Sequence, residues 1–461
     1  MTEEKRAPCL LPLTVGLSVL LWVFTTTGGR QILIKEALGD AYDSQAEHLL
    51  RGDPGVDGEA IRYEVLVVKG KSRMYFGPFP AFLRIPLNLI YPAGRGRWSR
   101  VSGFCAGVIA LFAFAGLLRE SLRSAPLSAR ARSWLGNACL AGFALGSPLL
   151  FLLGNLSIYN EAVAWGLAWS LAALFFAYRS RTVQGVNLTG SLLGFSFCAE
   201  GALLSRVTFG APLVLIAPLL ALRLPPEQRV VRVAALFLPL ATGLAFYLLL
   251  NYAKFGTLLG MTYDYYVNPV HREFARQHGI FNLLRVPSSF ADYFSLRFPS
   301  LQTAPPFLRA DRHAAAHPAL YSLPISEVFL SVPWCSGWLL LGAVCGLVLL
   351  FQTDRADGIE RWTAAALLVQ FAGILSYFAL AQRYTADLYP FLILCLIVFL
   401  RAGGTAMLRV AMVVLVAVSI VINSLATVSW LVDRDPNVPV ETQAIWKTAL
   451  GRQSPSSQKV K

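Results

Sequence analysis

The chain has 461 residues, 56% of them hydrophobic and 14% charged, with a mean hydropathy of +0.56. Soluble proteins carry about 25% charged residues, so a soluble multidomain enzyme is excluded and a polytopic membrane protein is expected. Forty Lys and Arg stand against 26 Asp and Glu, a net charge of +14, which in such a chain reads as basic cytoplasmic loops and not as a nucleic-acid surface.

In chain order, apolar runs fall at about 10–29, 101–118, 134–153, 162–178, 187–205, 207–222, 233–251, 327–351, 363–382, 385–400 and 410–432. A helix needs roughly 20 residues to cross the hydrocarbon. With tight hairpins at Arg206 and at Arg383–Tyr384, the runs predict about eleven transmembrane helices in one all-α unit over residues 1–432. The first run is about twice as long as a signal-peptide core, and its TTTGG ending lacks a small-x-small cleavage pattern. With Lys5 and Arg6 in front, it predicts a signal anchor with a cytoplasmic N-terminus.

The segments assigned to the inside total 62 residues and hold 15 Lys/Arg, whereas about 193 outside residues hold 25. That asymmetry predicts a multi-pass protein of the cell (inner) membrane whose long loops, about 30–100 and 252–326, are periplasmic or extracellular. These loops contain all five histidines: His48, His271, His278, His313 and His317. Stretches such as FPAFLRIPLNLIYP at 79–92 predict short interfacial helices within them. Residues 433–461 form a polar tail expected to be partly disordered. The seven cysteines lie in or at the edge of apolar runs without a CxxC pair, and read as small hydrophobes. No phosphate-binding loop and no internal repeat is present.

Candidate chemistry begins in GDAYDSQAEHLLRGDPGVDGEAIRYE, where Asp40, Asp43, Glu47, Asp53 and Asp57 crowd one stretch. A carboxylate at a membrane surface can deprotonate an acceptor hydroxyl, and partial burial raises its pKa toward the working range. The same residues also read as a solvated acidic helix start capped by Asp40. Arg206 and Arg383 are the only basic residues on the three short outer turns. A guanidinium beside hydrocarbon is costly unless paired, snorkelling or functional. It offers phosphate a fixed fork of donors, or it anchors the interface, with Asp387 as a partner for Arg383. Glu200 is the only carboxylate well inside a span, functional or protonated and hydrogen-bonded within the bundle. Glu161 suits a helix N-terminus. Lys254, Tyr263, Tyr265 and Tyr266 read as an interfacial belt or as contacts to a sugar.

GDAYDSQAEHLLRGD resembles the first-loop signature of the GT-C glycosyltransferases, in an acidic residue, a Tyr, an Ala and a Leu-x-x-Gly ending: Asp40, Tyr42, Ala46 and Leu49–Gly52. KGKSRMYFGPFPAFLRIPLNLIYP, RWSRVSGFCAGV, IYNEAVAWG, LLSRVTFGAPL, NYAKFGTLLGMTYDYY and RYTADLYPFLIL resemble further segments of the superfamily in the same order. The likeness is to its protein mannosyltransferase and aminoarabinose transferase-like group, in an uncharacterised bacterial branch. Many relatives carry Asp-Glu, whereas Ala41 follows Asp40 here, so the base stays divided between Asp40 and Asp43.

The resemblance implies an inverting transfer of a sugar from a polyprenyl-phosphate donor to a glycan, lipid or protein hydroxyl at the outer membrane face. It implies Arg206, Arg383 or Lys254 at the donor phosphate, and Tyr42, Tyr159, Glu161 and Tyr384 around the substrates; His48, on the same acidic segment, and Glu200, inside a span, are added to these on their own chemistry. It leaves open a divalent cation, Mg or Mn, on Asp40 or Asp43. The rival expectations are a transporter or flippase of lipid-linked saccharides without chemistry, and a catalytically silent relative.

Overall fold

The computed structural model describes residues 7–260, 262–310, 318–321, 327–352, 356–434 and 437–452; His313 and His317 lie outside the described residues. The helices are α1 Leu11–Thr25, α2 Asp40–Leu50, α3 Gly58–Ile61, α4 Phe79–Ile90, α5 Ser99–Arg123, α6 Ala129–Leu145, α7 Pro148–Gly154, α8 Ile158–Arg179 and α9 Gly185–Ser205. They continue as α10 Val207–Ala221, α11 Arg229–Phe255, α12 Pro269–His278, α13 Val286–Tyr293, α14 Val332–Leu350, α15 Gly358–Leu375, α16 Thr385–Ala402, α17 Ala406–Ser429 and α18 Val440–Ala449. Only two small hairpins, β1 Leu66–Val68 with β2 Lys71–Arg73 and β3 Ser300–Leu301 with β4 Leu308–Arg309, interrupt them among the described residues. The chain is an all-α polytopic membrane protein.

Each of the eleven apolar runs falls on helix. Eight helices are both long and apolar enough to cross a membrane. Helices α1 and α10 have 15 residues each, and α15 opens with a polar turn containing Glu360 and Arg361. The run 134–153 is broken between α6 and α7, where Ser147 accepts from the Leu149 amide at 3.1 Å and Pro148 supplies the first helical residue. Proline has no amide to continue the α6 ladder, and its fixed φ suits a helix start.

The long loops lie at one end of the bundle, here the loop end, and are stitched together and to the helices by isolated bridges Ala37–Ser157, Leu66–Tyr266 and Phe281–Tyr377. Asp40 is not the cap of α2: Gly39 holds the N-cap position and Asp40 is the first helical residue. Helix α4 lies where the surface segment was expected, with Leu89 and Ile90 exposed. Its arginine is turned inward instead, and Arg84 is fully buried. After α17 the chain turns back and α18 docks beside α1. There Thr442 accepts from Arg100 Nη2 at 3.0 Å and donates to Gln31 Oε1 at 2.8 Å. At the opposite end of the bundle, Glu360 is gripped by Tyr178, Arg181 and Arg401, which ties the ends of α8, α15 and α16 together.

Close helix contact depends on small residues, since lipid supplies no hydrophobic drive between helices. A Cβ at Gly346 of α14 would stand 1.7 Å from the Cys395 carbonyl oxygen of α16, whereas one at Gly373 of α15 would meet nothing within 4 Å. Gly346→Ala is therefore expected to cost at least about 1–3 kcal/mol, read as a lower melting temperature of the detergent-solubilised protein. Gly373→Ala is expected to be neutral or slightly stabilising by the same measurement.

Candidate functional site

Three side chains from three elements meet where the first loop packs on the start of α8. Arg84 of α4 donates from Nη2 to Glu161 Oε1 at 2.6 Å, and its Nε stands 3.5 Å from Asp43 Oδ2. All three are buried, with side-chain exposures of 0%, 0% and 2%. Asn88, one turn further along α4, donates to Asp43 Oδ1 at 2.8 Å and accepts from the Trp98 indole at 2.9 Å. Tyr42 is buried against the same group, its ring 5.9 Å from the Arg84 guanidinium and its hydroxyl 3.3 Å from the Ile158 carbonyl. Burial pushes the Asp43 carboxyl up, and Arg84 and Asn88 only partly offset this.

Asp40 sits apart at the rim, 38% exposed, with Lys35 Nζ at 3.2 Å. Its Oδ1 lies 2.0 Å from where a Cβ of Gly96 would stand, and Gly96 has φ +73°. Both facts require glycine there. His48 is held between Asp53 at 2.7 Å and Asp57 at 3.2 Å. Ser44 and His48 together hold Asp57 below the usual aspartate range. This histidine fastens the end of α2 to the turn that follows.

A second group forms where α9 meets α10 and where the Gln382–Tyr384 turn opens α16. Arg383 donates through both Nη atoms to Glu327, at 2.6 and 2.8 Å, and its guanidinium lies 4.8 Å from the ring centres of Tyr159 and Tyr384. Arg206 donates to Thr208 Oγ1 at 3.0 Å and faces Asp387 Oδ1 at 3.4 Å, with its guanidinium 5.3 Å from the Tyr384 ring centre. The sequence-based pairing is thus exchanged. Asp387 belongs to Arg206, whose Thr208 also donates to it at 2.6 Å, and Arg383 takes Glu327.

Beside Arg383 opens a cavity of about 360 Å³, whose wall includes Tyr63, Tyr75, Tyr159, Tyr263, Tyr266, Tyr377 and Tyr384 with Glu64, Glu327 and His271. Glu64 is 8% exposed. Tyr159 donates to its Oε1 at 2.5 Å and Tyr75 to its Oε2 at 3.1 Å, and no ion pair to it occurs among the described residues. The Tyr266 phenol is pushed up by burial and then by the Glu64 charge, and burial holds His271 below its ordinary range.

Of the expected site residues, Tyr159, Arg383 and Tyr384 line this cavity. Arg206 reaches it through the Tyr384 ring. Asp43, Tyr42 and Glu161 stand behind the wall, while Asp40 and His48 lie outside it. Lys254 is buried in the last turn of α11, without a hydrogen bond or ion pair to another described residue. Glu200 rests against Gly243 of α11, partly exposed, likewise without such a partner. Sequence reasoning missed Arg84, Glu64 and Glu327. Arg84 had a signal, being the only charge in an otherwise apolar 79–92. Glu64 had none beyond preceding the apolar VLVV.

The first-loop carboxylates do not fit a divalent cation in this arrangement. Arg84 already occupies the space between Asp43 and Glu161 with its own positive charge, and Asp40 has Lys35 Nζ at 3.2 Å. Among the described residues no group of three or more His, Cys, Asp and Glu is placed to hold a metal.

Removing Arg84 leaves two buried carboxylates without a counter-charge. Arg84→Met is expected to cost about 3–5 kcal/mol, seen as a lower melting temperature, and Arg84→Met with Glu161→Gln is expected to recover part of it. The folded chain holds the Asp43 proton more tightly than the unfolded chain does. Stability therefore falls as pH rises from the ordinary aspartate value through the raised one. Arg84→Met widens that interval, so its deficit should be larger at about pH 8 than at about pH 5.

No protein-family profile matches the chain, and no curated protein matches it by sequence. Among solved structures, it is similar to the oligosaccharyltransferase of Archaeoglobus fulgidus in the apo form, with a TM-score of 0.47 and 13% identity over 97% of this chain and 61% of that one. It is similar to ArnT from Cupriavidus metallidurans bound to undecaprenyl phosphate, with a TM-score of 0.43 and 13% identity over 84% of this chain and 59% of that one. The apo state of that ArnT gives a TM-score of 0.36, 13% identity and coverages of 91% and 78%. The chain thus spans about three fifths of the length of the first two.

Proposed function

We propose that the chain is a GT-C-type glycosyltransferase that moves a sugar from a polyprenyl-phosphate donor to an acceptor hydroxyl of a glycan, lipid or protein. The reaction would take place in the tyrosine-lined cavity, on the outer face of the cell membrane. The observation that carries this reading is the placement of two guanidiniums, Arg206 and Arg383, beside one ring, Tyr384, at helix ends that border that cavity. At membrane depth such groups are costly to keep, and a lipid phosphate brings an anion to that level. Tyrosine faces suit the apolar faces of a sugar ring, and the carboxylates suit its hydroxyls.

In the reaction, the acceptor oxygen forms a bond to the anomeric carbon from the side opposite the phosphate, which inverts it. The bond from that carbon to the phosphate oxygen breaks, and the electron pair leaves with the lipid phosphate. Arg206 and Arg383 stabilise the charge that develops there, without a covalent intermediate. The acceptor proton passes to a first-loop carboxylate. Glu327, which holds Arg383 at both Nη atoms, keeps the guanidinium aimed before the donor arrives.

The test uses purified protein in nanodiscs with a panel of radiolabelled undecaprenyl-phosphate monosaccharides, following release of undecaprenyl phosphate. Release is expected from the wild type. Arg383→Ala is expected to lower kcat/KM about 10–100-fold, the loss of a charge-assisted contact to phosphate. Movement of the labelled lipid between leaflets with no release of lipid phosphate would reject transfer in favour of transport.

A further inference from the structure

Resting on the transfer reading, we infer that Glu64 is the carboxylate that takes the acceptor proton, in place of Asp40 and Asp43. Three observations single it out.

First, Glu64 is the only first-loop carboxylate on the cavity wall as described; Asp43 is buried behind it and Asp40 lies at the rim. A base must come within hydrogen-bond reach of the proton it removes. Asp43 has Asn88 on one oxygen and Arg84 beside the other. Asp40 has Lys35 on one oxygen and the Gly96 backbone against the other.

Second, the groups that hold Glu64 are phenols and not cations. Tyr159 and Tyr75 each donate one hydrogen bond, which fixes the carboxylate plane and leaves lone pairs free, since a carboxylate has about four acceptor positions. An arginine or lysine in that place would weaken it as a base.

Third, Tyr159 joins the two ends of the reaction. Its hydroxyl touches Glu64 and its ring lies under Arg383. The proton acceptor and the phosphate binder are therefore set at fixed positions on one aromatic side chain. An in-line displacement needs this arrangement: the acceptor hydroxyl beside Glu64, the anomeric carbon over the cavity floor, and the leaving phosphate at Arg383. The proton moves from the acceptor oxygen to a Glu64 oxygen as that oxygen bonds to carbon and the phosphate oxygen departs.

The other titratable groups facing Glu64 are the phenols of Tyr63, Tyr263, Tyr266, Tyr377 and Tyr384, with His271, Glu327 and Arg383 across the cavity. His271 is the competing base. It is stacked on Tyr266, with ring centres 5.8 Å apart, and edge-on to Phe378 at 5.9 Å. No hydrogen bond to another described residue orients its ring.

The experiment uses the full chain in nanodiscs with the undecaprenyl-phosphate sugar that the wild type turns over, and measures release of undecaprenyl phosphate against pH. Binding of undecaprenyl phosphate itself is measured in parallel. Glu64→Gln is expected to lower kcat at least about a hundredfold, the usual worth of a general base, and to abolish the acidic limb of the pH profile. It should bind undecaprenyl phosphate within twofold of the wild type, which separates loss of the base from misfolding. Tyr159→Phe removes one hydrogen bond that favours the charged carboxylate, so its acidic limb is expected to move to higher pH. Retained kcat in Glu64→Gln overturns the assignment. So does loss of the acidic limb in Asp43→Asn, Asp40→Asn or His271→Asn while Glu64→Gln keeps it. Absence of release by the wild type from every donor overturns the transfer reading, and the assignment falls with it.

Discussion

The loop end of this protein depends on one buried cation. Arg84 enters from a short amphipathic helix, meets Glu161 at the start of a long span, and reaches Asp43 on the first helix of the loop. None of the three charges could be buried alone, because the solvation lost by each exceeds what packing returns. Together they force α2, α4 and α8 into one relative position. The cavity wall follows from that position, since Tyr159 precedes Glu161 by two residues and the Leu66–Tyr266 bridge carries the second loop onto the first. A membrane surface is a poor place to order irregular backbone by hydrophobic burial alone. A buried ionic triad supplies the specificity that apolar packing lacks.

The cavity is organised around rings and not around ions. Arg383 and Arg206 both lie beside Tyr384, and Arg383 also lies over Tyr159. Cation–π contacts of this kind retain attraction where water is scarce, so the guanidiniums can stay charged near hydrocarbon while keeping edges for an anion. Each also has a carboxylate of its own, Asp387 or Glu327. This wall is thus close to neutral as it stands, which lowers the cost of holding the two guanidiniums there. Glu64 departs from this pattern, since only phenols touch it.

How much was legible differs between fold and site, for a physical reason. Membrane helices are written in runs of apolar residues, and every expected run became helix because the hydrocarbon demands it. The number that cross was less legible, since short helices such as α10 and polar-headed ones such as α15 blur the length rule. Arg206, Arg383 and Glu161 drew notice because charges at span ends are conspicuous against their surroundings, and Tyr159 because its segment resembles a family motif. Arg84 was visible as the one charge of a segment expected at the membrane surface, but amphipathic periodicity does not say which neighbour waits on the other side. Glu64, Glu327 and the Asp387 pairing depend on contacts between residues 56 to 181 positions apart. No local pattern encodes such contacts.

The return of α18 to the first loop has an implication for how the protein is made. Asn437 and Trp430 belong to the cavity wall, and Thr442 completes the bond network that joins Gln31 to Arg100. The opening residues of the site are synthesised some 400 positions before the closing ones. Until those residues are made the tyrosine cavity is a cleft with one side missing, and the first loop is held by contacts made earlier in the chain: the Arg84 triad, the Arg100–Glu36 pair and the Ala37–Ser157 bridge. Asn437, Trp430 and α18 then close that side of the chamber.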